Sequence, residues 1–133
     1  MTRITAAIQL LILASTVLGM ALLYEISPLV PTFVFDFVAF GWALFVVDSI
    51  LTFVRPVTAY YLGLVLAILG LGASLPQSTH WSFIQNGLLV PSAIFVTGSV
   101  MEVLIVVLVT VYALRVRRGT RLESSLVKTP PNP

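Results

Sequence analysis

With 133 residues, 59% of them apolar and 9% charged, the chain lies far from the roughly 45–50% apolar and 25% charged composition of soluble domains. That excludes a soluble enzyme, and a net charge of +2 offers no broad basic surface for nucleic acid. The absence of cysteine removes disulfides, thiolate metal sites and cysteine nucleophiles, and a single histidine rules out a two-histidine haem or a histidine-rich zinc or copper site within this chain. No metal or cofactor is expected.

The composition predicts an all-α integral membrane bundle of four transmembrane helices. Each spanning helix needs about 20 mostly apolar residues to cross a core of about 30 Å. The first, 4–24, carries no charge. A cleaved signal sequence is its rival, since one Arg precedes an apolar run, but the run exceeds the roughly 7–15 residues of such signals. The second, 32–54, is bracketed by Pro31 and Pro56. The third, 57–74, is short and uncharged, and Ala59, Gly63, Ala67, Gly70 and Ser74 recur at steps of three and four along one face. Lipid gives no hydrophobic drive between helices, so such a small-residue face is a packing face, within the bundle or toward another subunit.

The stretch "LPQSTHWSFIQNGLLVP" (75–91) follows, polar but without formal charge. It reads as a surface loop, with an interfacial or re-entrant segment as the alternative. His80 is then a solvated loop residue, or more sharply a ligand shared with another subunit. The fourth helix, 92–114, has Glu102 as its only charge. A basic, Pro-ending tail (116–133) has the composition of a disordered segment, and Arg115, Arg117, Arg118 and Arg121 are suited to lipid headgroups or a partner. A faint repeat sets "LVPTFVF" (29–35) against "LVPSAIF" (89–95) and Arg55 against Arg115, the pattern of a duplicated helical hairpin.

Threading the four helices places all seven basic residues on one side. The positive-inside rule then puts both termini in the cytoplasm and the chain in the cell membrane as a multi-pass protein. Tyr24 and Trp81 fall at the outer boundary and Tyr60, Tyr61 and Tyr112 at the inner one, as interfacial aromatics do.

Three acids fall within spanning segments: by helical rise, Asp36 lies about 10 Å outward of the midplane, Asp48 about 8 Å inward, and Glu102 near the centre. An ionised group there costs on the order of 2.5–3.5 kcal/mol on insertion scales, so each needs a reason. For Asp48 the expected reason is Arg55, seven residues on and on nearly the same face. Asp36 can snorkel outward. Glu102 has three open solutions: a protonated carboxyl bonded to Thr97, Ser99 or Trp42, a cation from another polypeptide, or a moving proton or cation. Asp36 and Asp48 lie about 18 Å and 120° apart on one helix, too far to form a catalytic dyad.

A helix-embedded Glu in a small four-helix chain resembles two families. Small multidrug exporters carry their essential Glu in the first helix, which here has no acid. Rotor-ring subunits of vacuolar-type ATPases carry a Glu in the fourth helix, where Glu102 stands, but with glycine-rich first and third helices and outward termini; the first helix here has only Gly19. Neither pattern is met, and no family is assigned.

The expectation is a non-catalytic accessory subunit of a larger membrane complex, of the respiratory or energy-metabolism kind, with the lipid bilayer and other membrane subunits as its partners. The alternative is a small homo-oligomeric transporter, or a proton or cation pathway, using Glu102 with Asp36 and Asp48 along the route. A membrane enzyme borrowing His80 or Glu102 for a composite site is the third.

Overall fold

The computed structural model of the chain describes residues 2–127, and side chains for 2–120. Within them the chain forms α1 (Arg3–Ile26), α2 (Thr32–Val54), α3 (Pro56–Ser74), α4 (Ser78–Gln85) and α5 (Leu89–Val127), with no strand among the described residues. All but α4 are long and apolar enough to cross a membrane. The side chain of Arg121 and the tail from 128 onward lie outside the described residues.

Local chemistry sets the helix boundaries. Thr2 caps α1, its Oγ1 accepting from the Thr5 amide at 3.4 Å. Pro31 precedes α2, and Pro56 opens α3, where a missing N–H costs no hydrogen bond. Arg55, driven out of the helical region by the proline after it, is the single joint between α2 and α3. A joint this short makes the two helices antiparallel neighbours.

The four long helices form a square. α1 and α3 lie on one diagonal and touch lightly, while each packs closely against α2 and α5. Ile8 and Ile12 of α1, Tyr60 and Ala67 of α3, and Ile105 and Val109 of α5 fill the centre. Arg3, Arg55 and Arg115 mark one end of the bundle, here termed the basic end; α4 and the α1–α2 connection lie at the other.

The packing repeats with the spacing of the sequence repeat. Trp42 of α2 seats on Gly19 of α1, and the residue sixty positions after Trp42, Glu102 of α5, seats on Gly70 of α3. Gln9 meets Thr52 at 3.5 Å, and Tyr60 meets Tyr112 edge-on at 5.4 Å between centroids, at the same displacements of 51 residues on the first helix of each hairpin and 60 on the second. Ile12 and Gly63, also 51 residues apart, touch each other across the diagonal. A two-fold relation between hairpins, with its axis along the bundle, produces this pattern.

The connection before α5 departs from the expected loop: residues Ser78–Gln85 form α4. Its docking is tertiary. His80 stacks on Phe95 at 5.0 Å, Trp81 meets the same ring edge-on at 5.5 Å, and Phe83 is buried. His80 Nδ1 donates to the Ser74 carbonyl at 3.0 Å and Trp81 Nε1 to the Leu75 carbonyl at 2.7 Å, so exposed α3 carbonyls are satisfied by α4. The helix ends in a Schellman turn, with Leu88 N bonding Phe83 O at 2.9 Å and Gly87 at φ 68. Only glycine takes that conformation freely, so Gly87→Ala is expected to cost about 1 kcal/mol, read as a lower midpoint of thermal unfolding in detergent.

The expected tail also differs in its first part, for α5 continues unbroken through Val127. Arg, Leu and Glu are good helix formers and the segment continues an existing helix, so no nucleation cost opposes it despite its charge.

Candidate functional site

The small-residue face of α3 points into the bundle. Ala59 and Ala67 have no exposed surface, Gly63 is buried, and Gly70 and Ser74 are half-buried. Of the two uses the sequence leaves open for this face, the structure shows packing within the bundle. Its two glycines each receive a carboxylate.

Asp48 enters from α2. It is fully buried, and a Cβ built on Gly63 would stand 2.9 Å from its Oδ2 and 3.0 Å from Ile12 Cδ1. Neither of its oxygens has a hydrogen-bond partner among the described residues. The expected pairing with Arg55 is therefore not formed. Arg55 sits exposed at the α2–α3 joint, whereas the close approach of α2 to Gly63 turns Asp48 inward. Glu102 enters from α5, and its carboxylate covers Gly70 so closely that a Cβ there would collide with Oε1.

The structure bonds none of the expected partners to Glu102. Trp42 Nε1 donates to the Thr16 carbonyl at 2.8 Å, Thr97 is exposed, and Ser99 makes no hydrogen bond with Glu102. No cation of this chain reaches Glu102 among the described residues. Asp36 lies apart from Asp48 and Glu102, exposed on the outward face of α2 among Phe33, Phe37 and Phe40. Arg115, Arg117 and Arg118 are exposed on the extension of α5.

Gly63 and Gly70 are about 10 Å apart along α3, so the two carboxylates occupy one line along the bundle axis. Ser15 of α1 lies one turn beyond Ile12 and thus between them in height; its hydroxyl is buried and without a partner. Ser74, further along the same face of α3, also has a buried, unpartnered hydroxyl. Beside Asp48, Thr16 and Ser49 share a hydrogen bond of 2.6 Å between α1 and α2. Toward the basic end, Thr52 donates to the Ser49 carbonyl at 2.7 Å, and Gln9 reaches Thr52. There the bundle carries an open cavity of about 440 Å³, lined on its polar side by Thr5, Gln9, Thr52 and the two tyrosines Tyr60 and Tyr112, and otherwise by the exposed Phe53, Pro56 and Val57.

A buried donor or acceptor without a partner costs about 1–3 kcal/mol, and an ionised carboxylate costs more. Asp48, Ser15, Ser74 and Ser92 carry such groups, and the first three stand in one column with the half-buried Glu102 over Gly70. The column has a definite chemistry. Carboxyls and hydroxyls both donate and accept protons, and steps of several ångströms between them suit transfer bridged by water. No group of three or more metal-binding side chains occurs among the described residues. No family model matches the chain, and comparison with curated proteins and with solved structures gives no match.

Sequence reasoning singles out Asp48 and Glu102, expects Arg55 beside Asp48, a contact the structure does not make, and passes over Ser15, Thr52 and Gln9. Hairpin register could have found the contact of Asp48 with Gly63: counted from the joint at Arg55, the two stand at nearly equal distances on opposite arms. Ser15 carries no such signal, because its burial depends on how α1 crosses α3.

Proposed function

We propose that the protein is a multi-pass protein of the cell membrane, with both termini cytoplasmic, that carries protons or small cations along the column formed by Asp48 and Glu102. The observation that carries this reading is Asp48, a fully buried carboxylate with neither oxygen partnered. A structural acid inside a membrane bundle is held by a cation or by donors; an acid left without either is a site for something that comes and goes. Glu102, near the middle of the apolar part of α5, is the central station. The reading needs no catalytic residue. The positive-inside distribution of Arg3, Arg55 and Arg115 supports the orientation.

Reconstituted in liposomes, the protein is expected to dissipate an imposed ion or pH gradient, and Glu102→Gln to abolish this while circular dichroism and detergent-gel mobility stay unchanged. Gradient dissipation by the Glu102→Gln variant at the native rate would exclude the reading.

A second reading, the accessory subunit of a larger membrane complex, draws support from the outer surface. Asp36 faces outward from a phenylalanine-rich side of α2, and Arg115, Arg117 and Arg118 project from the α5 extension, so a cation from a neighbouring subunit and anionic headgroups would complete them. Co-purification from native membranes followed by mass spectrometry separates the two: stable partners favour the subunit, flux from the isolated protein the pathway.

A further inference from the structure

We propose that the transported species is the proton and that it enters at the basic end, through the cavity between α1, α2 and α3, reaching Asp48 by way of Gln9 and Thr52. The proposal rests on the reading of Asp48 and Glu102 as a transport column and adds its cargo and its cytoplasmic mouth.

The donor set selects the cargo. A dehydrated metal cation needs several oxygen ligands, about 6 for magnesium and 6–8 for calcium, converging at 2.0–2.6 Å. Asp48 instead faces the methyl end of Ile12 and the bare backbone of Gly63. Of the nearby hydroxyls, Thr16 is engaged with Ser49 and Thr52 with the Ser49 carbonyl, which leaves that of Ser15. One carboxylate against a hydrocarbon wall cannot replace a cation's hydration shell, but it can hold a proton, which needs one lone pair.

The cavity selects the route. It is open, about 440 Å³ in volume, and far larger than the roughly 30 Å³ that one water occupies. Thr5, Gln9, Thr52 and the phenols of Tyr60 and Tyr112 give water in it hydrogen-bonding partners. Thr52 is one turn from Asp48 on α2, and its hydroxyl lies within 3.5 Å of Gln9 Nε2. Other ionisable groups around the path are Tyr60 of α3, Tyr112 of α5 and, further along the column, Glu102; α1 contributes none beside Asp48. Intake is a simple transfer: a hydronium ion in the cavity gives its proton, through bridging water, to a carboxylate oxygen of Asp48, leaving water in the cavity and a neutral carboxyl in the bundle. The proton passes on by the reverse step toward Ser15 and Glu102.

The natural absence of cysteine makes the test direct. Gln9→Cys in proteoliposomes is treated with a membrane-impermeant, positively charged thiol reagent from the basic side, with Thr2→Cys as the reactive control and the outward-facing Leu10→Cys as the shielded one. The introduced thiol at 9 is expected to react and, once modified, to block proton flux. Thr52→Val, close in shape, is expected to slow flux about tenfold, the loss of one hydrogen bond on the path. Proton flux with an unreactive thiol at 9, or native flux through Thr52→Val, overturns the route alone. Sodium or potassium flux in place of proton flux overturns the cargo. A native protein that moves no ion overturns the column on which both rest, whatever the thiol at 9 shows.

Discussion

Gly63→Val is expected to be the most damaging single substitution in the bundle, lowering stability by about 3 kcal/mol, the upper part of the usual range for overpacking. Gly63 is where three helices meet: a Cβ there would lie 2.9 Å from Asp48 Oδ2 and 3.0 Å from Ile12 Cδ1. Neither neighbour can yield. Asp48 has a short side chain with no exposed surface, and Ile12 is fully buried in the central cluster. The added methyl groups must push α2 or α1 away from α3, and in a bundle without a hydrophobic drive between helices close backbone approach is the main source of association. Gly70 makes the contrast. A Cβ there meets the far end of the longer Glu102 side chain, which can swing aside. Thermal unfolding in detergent followed by circular dichroism measures the effect. A Gly63→Val protein that unfolds at the native temperature would mean that α3 does not present this face to α1 and α2.

Asp48→Val is expected to act in the opposite direction on stability while silencing the protein. Removing a buried carboxyl whose two oxygens lack partners, and replacing it by an apolar group of similar shape, is expected to stabilise the bundle by about 1–3 kcal/mol. The same change removes the carboxylate nearest the cavity, and proton flux in liposomes is expected to vanish. A gain in stability together with a loss of activity is what a functional group retained at a cost to the fold produces. A structural Asp48 predicts the reverse: a loss of stability, as in breaking a buried pair. Unfolding midpoints and flux rates on the same preparation decide between them.

What the sequence makes legible here follows the range of the forces involved. The four long helices are set by runs of apolar residues and bounded by Pro31, Pro56 and charged residues, signals that act within one turn, and the structure places their ends within a few residues except at the start and end of α5. The stripe on α3 is equally local. α4 is not: its sequence is polar enough for a loop, and what holds it is His80 and Trp81 against Phe95 and the last carbonyls of α3. Asp48 and Arg55 share a helix face by spacing, yet the carboxylate follows the space opened by a glycine on the next helix rather than the charge two turns away. Glu102 shows the same thing, since the indole of Trp42 turns to the Thr16 carbonyl and Thr97 lies exposed. A site made by helix crossings is written in pairs of residues, one on each helix, and only half of each pair is conspicuous in a single sequence.

The most direct test of the buried column is infrared difference spectroscopy of the membrane-reconstituted protein, comparing native and Asp48→Val samples in light and heavy water across a pH change. The expected result is a protonated-carboxyl carbonyl band in the native protein that shifts on transfer to heavy water and is missing from the Asp48→Val spectrum. Identical native and variant spectra, or an Asp48 band that does not exchange, would contradict the account.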